Sequence, residues 1–226
     1  MTKCLTLEKK HKFIDVGIVF LFIISAFIFL IESPLHPWGN GQMRTDSSVF
    51  ETIAMMMHKG FMPYKDSFDH KGPLIYFYNW LGFFIGHKGV CFIEFISLAT
   101  ALVIMYGIAR LVCKRLWATI TTYVALEILF ISFEGGNLTE EYALPFIACS
   151  LYIFLDYFLN KKINTCRFLI CGYCFAAVCL LRVNMISTCV FFCFGILCDC
   201  ICKKKYKELR RFICWFSAGE GICFLG

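Results

Sequence analysis

The chain has 226 residues, of which 59% are hydrophobic and 18% aromatic, and its mean hydropathy is +0.71. Soluble domains average about 45–50% apolar residues, so most of this chain cannot face water. The formal charge of +6 sits in short Lys and Arg clusters between apolar runs, the pattern of membrane topology and not of nucleic-acid binding.

Apolar runs long enough to cross the roughly 30 Å hydrocarbon core as helices recur along the chain, and the alternation of a membrane β-barrel is missing. The predicted fold is therefore an all-α membrane protein with about seven transmembrane helices and a long first extracytoplasmic loop carrying interfacial helices. The fifteen cysteines lie mostly inside apolar runs such as CGYCFAAVC, Cys171 to Cys179, where they read as small buried hydrophobes. Cys171 and Cys174 form a CxxC with no second pair at zinc spacing.

In chain order, KKHK (Lys9 to Lys12) precedes a first span, Phe13 to Ile31, whose 19 residues rise about 28 Å. This run lacks a small-residue cleavage site, so it reads as a retained anchor, and its basic flank puts the N-terminus in the cytoplasm. TDSSVFETIAMMMHKG, Thr45 to Gly60, is expected to be a helix lying on the membrane. Ser48 and Glu51 fit a capping box, Val49, Phe50, Ile53, Ala54 and Met57 share a face, and Asp46 stands just ahead of the helix. FMPYKDSFDHKGP then turns the chain between Pro63 and Pro73.

The next run, Pro73 to Gly86, is apolar but only fourteen residues long. If it does not cross, Lys3, Lys9, Lys10 and Lys12, then Arg110, Lys114 and Arg115, then Lys161, Lys162 and Arg167, then the cluster Lys203 to Arg211 all fall on one side. That side holds 16 of the 22 basic residues. If it crosses, 12 of those 16 move outside, against the positive-inside tendency. It is therefore read as a re-entrant or interfacial helix with Tyr76, Tyr78 and Trp80 in the headgroup region. Residues 32–89 become one extracytoplasmic loop, and FEGGNLTEE, Phe133 to Glu141, emerges on the same face with Glu134.

Further spans are expected at Val90 to Val112, Leu116 to Phe133, Tyr142 to Leu159, Phe168 to Leu181, Met185 to Cys202 and Phe212 to Leu225. No linker or repeat divides the chain, so residues 1–226 are taken as one polytopic membrane domain. The chain ends inside an apolar run, from which we expect the N-terminal part of a longer protein.

Asp66, Asp69, His70 and Lys71 are either a solvated loop pairing its own charges or a functional cluster at the membrane boundary. Asn137, Leu138 and Thr139 form a glycosylation sequon, and Asn137 or Thr139 could equally cap the helix carrying Glu140 and Glu141. Arg182, in the hairpin LLRVN, is either a snorkelling anchor or an anion clamp facing the carboxylates. Such loops suit a lipid substrate. A carboxylate takes the proton of an acceptor hydroxyl while a cation neutralises the phosphate of the leaving group.

The series TDSSVFETIAMMMHKGFMPYKDSFDHKGPLIYFYNWLG, GGNLTEEYALPF and LLRVN resembles bacterial polytopic glycosyltransferases of the C-type (GT-C) fold, in the group of protein O-mannosyltransferases and aminoarabinose transferases (glycosyltransferase family 39-like). The resemblance covers about Phe13 to Asn184. It implies a cell-membrane enzyme that transfers a sugar from a polyprenyl-phosphate donor to a hydroxyl of a lipid or cell-envelope glycan acceptor on the extracytoplasmic face. The match puts the catalytic base at Asp46 and the later Asp block at Asp66 and Asp69, with Lys71 ahead of Pro73. It makes Glu140 or Glu141 the acidic residue of the second outer loop and Arg182 the cation near the lipid phosphate. The expected partners are the polyprenyl-phosphate donor, the acceptor and membrane lipids, with no nucleic acid. The resemblance assigns no definite cofactor. A divalent metal ion is an option with Asp66, Asp69 and His70 as ligands, although their spacing matches no metal signature.

The alternatives are a membrane transporter or lipid flippase, or an inactive truncated glycosyltransferase. A transporter buries paired charges near mid-membrane. Glu94, Glu127, Asp156 and Asp199 fall in or near spans, each without an evident cation partner.

Overall fold

The computed structural model describes residues 2–33, 45–67, 69–86, 89–133, 136–160 and 165–225. Glu134, Lys161 and Lys162, on which part of the charge argument rests, lie outside the described residues. The fold is all-α, with nine α-helices among the described residues. They are α1 Thr2–Phe29, α2 Thr45–His58, α3 Pro73–Ile85, α4 Val90–Val112, α5 Arg115–Phe133, α6 Thr139–Asn160, α7 Thr165–Leu181, α8 Ile186–Cys202 and α9 Tyr206–Leu225.

Each expected apolar run is helical, but four meet the length and composition of a membrane span. These are α4, α5, α6 and the stretch Val183–Cys202 that contains α8. Four of the about seven expected spans meet this criterion. Ile14–Phe29 of α1, together with α3 and α7, forms shorter apolar helices. In α9 the first turns carry Lys207, Glu208, Arg210 and Arg211 and dilute its apolar part. Large side chains that face outward on the spans, among them Trp117, Ile128, Ile131, Phe191 and Phe194, are the surface that lipid would cover.

The buried side chains form three clusters. Phe22, Leu98, Leu102, Tyr106 and Leu126 join α1, α4 and α5. Ile153, Phe168, Ile196 and Phe212 join α6 to α9. Phe50, Ile75, Tyr76, Tyr142 and Leu181 join α2 and α3 to α6 and α7, which seats the two short helices on one end of the bundle.

That end is built by the C-termini of α1 and α7 and the N-termini of α4 and α6. Gly72, just before α3, donates its N–H to the carbonyl of Leu181 at the end of α7 (3.0 Å). At the other end of α3, Gly82 lies against Val90 at the start of α4. Both ends of α3 are therefore at the same end of the bundle, and α3 lies across it without passing through. At the opposite end, Arg115 donates from Nε (2.7 Å) and Nη2 (3.0 Å) to the two oxygens of Asp15, which also accepts from Tyr106 (2.9 Å). Two expectations about lone intramembrane acids are corrected here. Asp156 pairs with Arg167, and Asp199 pairs with Lys203 and accepts from Tyr157 (2.8 Å). Both acids sit where a helix leaves the apolar layer, so a flanking cation reaches them.

Candidate functional site

The α2 helix begins at Thr45, so Asp46 lies within its first turn and not ahead of it. Ser48 and Glu51 are correspondingly inside the helix and do not form the expected capping box. A first-turn carboxylate is favoured by the helix dipole. Asp46 also has a specific partner, because Lys71 Nζ donates to its Oδ2 at 3.0 Å. The two ends of this ion pair differ in environment. The side chain of Lys71 is 6% exposed and that of Asp46 49% exposed. The buried ammonium is thus neutralised by a carboxylate that still faces outward.

Lys71 is placed by the turn before it. Asp66 accepts the N–H of Met62 (2.8 Å), and Asp69 accepts the N–H of His70 (2.6 Å) and the hydroxyl of Tyr76 (2.7 Å). Tyr64, in left-handed backbone at φ 65, donates its hydroxyl to the carbonyl of Lys71 (2.6 Å). Burial and then the neighbouring Asp69 raise the Tyr64 phenol above its ordinary range. Burial and then the hydrogen bond to Asp69 do the same for Tyr76. His70 is exposed and pairs with Asp69 (3.0 Å). Asp66, Asp69 and His70 are therefore occupied in holding the turn. They do not converge as a metal site, and among the described residues no group of three or more His, Cys, Asp or Glu does.

The turn is docked onto α7 through Gly72. A Cβ at Gly72 would lie 1.9 Å from the carbonyl oxygen of Leu180, so only glycine permits this approach. The next residue after Leu181 is Arg182, which forms an ion pair with Glu140 in the first turn of α6. The structure thus brings Asp46, Lys71, Glu140 and Arg182 to one end of the bundle as two ion pairs on adjoining segments.

Glu141 does not share that surface. It is 0% exposed, as is Asn137. Asn137, at φ 53, donates its backbone N–H to Glu141 Oε2 (3.1 Å). Its side-chain amide donates to Ser47 Oγ (2.9 Å) and to Asn79 Oδ1 (3.0 Å), and its Oδ1 accepts from Asn79 Nδ2 (3.2 Å) and the Tyr142 hydroxyl (3.1 Å). The sequon amide is consequently a buried keystone and not a glycan acceptor. Asn79 and Glu94 belong to the same interior and were missed as site residues. The available signal was a polar residue inside each of the apolar runs PLIYFYNWLG and VCFIEFISL.

A protein-family model described as "Putative competence-induced protein Ccs4 N-terminal domain" matches residues 3–214. No curated protein and no solved structure shows significant similarity to the chain. The family match corrects the expected kinship with C-type glycosyltransferases. The blocks that carried the resemblance are explained by helix starts. Asp46 lies in the first turn of α2, Pro73 is the first residue of α3, and Glu140 and Glu141 open α6. Proline at the first helical position and acids in the first turn are what such starts select in any fold.

Proposed function

We propose, for a chain that belongs to the Ccs4 N-terminal domain family, that the end bearing Asp46, Lys71, Glu140 and Arg182 binds a lipid-linked phosphate and transfers the group it carries to a hydroxyl acceptor. A sugar on a polyprenyl phosphate is the donor the reading is tested on. Its carrying observation is the docking of Gly72 on Leu181, which seats the Asp46–Lys71 pair beside the Arg182–Glu140 pair. In this reading α1 and α4 to α9 all cross the membrane, while α2 and α3 lie on its outer face. The basic loops with Arg110, Lys114, Arg167 and the Lys203 to Arg211 cluster then face the cytoplasm, as the positive-inside rule favours.

The half-exposed carboxylate of Asp46 accepts the proton of the acceptor hydroxyl. The hydroxyl oxygen bonds to the anomeric carbon, the bond from that carbon to the phosphate oxygen breaks, and the phosphate leaves on its lipid with the electron pair. Attack opposite the leaving group inverts the configuration. Arg182, partly exposed at the end of α7, offsets the charge on the leaving phosphate. Lys71 orients Asp46 through its 3.0 Å contact.

The test uses membranes containing the full-length protein, a radiolabelled hexose on polyprenyl phosphate, and the variants Asp46→Asn and Arg182→Ala. Asp46→Asn is expected to lower transfer by about 100-fold or more, and Arg182→Ala to weaken retention of polyprenyl phosphate. Unchanged transfer by inserted Asp46→Asn protein removes Asp46 from the chemistry. A second reading, a transporter, is favoured by the two fully buried acids Glu94 and Glu141. Movement of the labelled lipid between leaflets without transfer would select it.

A further inference from the structure

Beneath the ion pairs just described lie two carboxylates that the transfer reading does not use. Glu94, in the second turn of α4, and Glu141, in the first turn of α6, are both 0% exposed. Each has one oxygen satisfied. Glu94 Oε2 accepts the hydroxyl of Ser33 (3.1 Å), which follows α1, and Glu141 Oε2 accepts the N–H of Asn137 (3.1 Å). The remaining oxygens, Glu94 Oε1 and Glu141 Oε1, are buried without a hydrogen-bond partner. Among the described residues neither acid forms an ion pair. Lys71 and Arg182, two cations at this end, are held by Asp46 and Glu140.

The two acids also approach each other. The point where a Cβ on Gly136 would stand is 3.0 Å from Glu94 Oε1, 3.5 Å from Glu141 Oε2 and 3.5 Å from Ser33 Oγ. Gly136 has φ +92, and its bare Cα keeps this convergence of oxygens free of carbon. Three elements, α4, α6 and the segment after α1, thus deliver oxygens to one small volume.

Two carboxylates removed from water without a cation either take up protons or gain compensating charge, because isolating even one in its charged form costs far more than a folded chain can supply. From this convergence we propose that Glu94, Glu141 and Ser33 form a binding site for a hard divalent cation at the membrane boundary. The donors are all oxygen, the set taken by Ca2+, Mn2+ and Mg2+. A divalent ion matches the two negative charges, whereas a monovalent one leaves a buried charge over. The site is lined by protein and closed to solvent, which favours Ca2+ or Mn2+ over Mg2+, an ion that keeps several of its waters. Bound there, the cation ties α1, α4 and α6 together directly under the Asn137 network, and so under Asp46.

This assignment does not depend on the transfer reading and is tested without substrate. The purified full-length protein, stripped with chelator in detergent micelles, is titrated with Mn2+ at neutral pH. Bound Mn2+ is followed by electron paramagnetic resonance and unfolding by a thiol-reactive dye that reports buried cysteines. The expected result is saturable binding of a single Mn2+ per chain, displaced by Ca2+, with a rise of about 5 °C or more in the unfolding midpoint. Glu94→Gln and Glu141→Gln lose both effects, while Glu127→Gln, on the exposed face of α5, keeps them. The wild-type titration decides the matter even if a variant fails to fold. Absence of saturable Mn2+ binding overturns the assignment. So does stabilisation that depends on pH and not on the metal, which would mean that the two acids share a proton.

Discussion

Asn137→Ala is the perturbation whose cost can be worked most closely from the structure. The Asn137 side chain has no exposure and takes part in four hydrogen bonds, with Ser47, Asn79 twice and Tyr142. An intramolecular hydrogen bond contributes about 1 kcal/mol net, but a buried partner left unsatisfied costs about 1–3 kcal/mol. Asn79 loses both of its bonds to Asn137 and keeps only the bond from Nδ2 to the Ile75 carbonyl (3.0 Å). Ser47 and Tyr142 are also buried. These effects overlap, so the loss is not the sum of four bonds, and about 3–5 kcal/mol is expected. For a chain of this size that lowers the unfolding midpoint by about 10 °C. The assay is thermal unfolding in detergent, read by dye labelling of the buried Cys171, Cys174, Cys189, Cys193 and Cys200, with Val183→Ala as the exposed control. A midpoint for Asn137→Ala within about 2 °C of wild type would show that the network does not hold this end of the bundle.

Gly72→Ala places a methyl group 1.9 Å from the Leu180 carbonyl, so the turn must lift from α7. A loss of about 2 kcal/mol or more, together with loss of polyprenyl-phosphate retention, is expected in the same assays, and wild-type behaviour would contradict the docking. The phenols of Tyr64 and Tyr76 are raised above 10.0 in the folded state by burial and by Asp69. The stability linked to a raised group is complete below its unfolded value and declines as pH passes upward through it. Unfolding midpoints should therefore hold steady up to about pH 10 and fall above it, and Tyr76→Phe should flatten that fall.

Much of the helical framework was legible because bulky apolar runs have few other uses. The shortness of the run 73–86 was legible too, and α3 has both of its ends at one end of the bundle. Asp66, Asp69 and His70 were readable either as a loop pairing its own charges or as a functional cluster, and the bonds of Asp66 to Met62 and of Asp69 to His70 and Tyr76 tie both carboxylates into the turn. The pairing of Glu94 with Glu141 was not readable. These residues lie on different helices, and only the packing of α4 on α6 brings them together. Asn137 misled for a related reason. Its sequon pattern is local, whereas its burial follows from where α2 and α3 settle on the bundle. The resemblance to glycosyltransferases failed because acids and prolines at helix starts recur wherever helices begin at a membrane surface.

The central claim is that the α2–α3 segment and the α6 and α7 ends meet at one face of the membrane. Impermeant maleimide labelling of intact cells tests it directly, with single reporter cysteines replacing exposed residues in a background lacking the native thiols. Met62, Ile85 and Val183 are 62%, 63% and 65% exposed at the proposed outer end, and Val112 and Tyr206 are 67% and 65% exposed at the other. Cysteines at 62, 85 and 183 should label from outside while those at 112 and 206 label only after the cells are opened. Labelling of 62 and 183 from opposite sides would separate Asp46 from Arg182 by the full thickness of the bilayer and contradict the account.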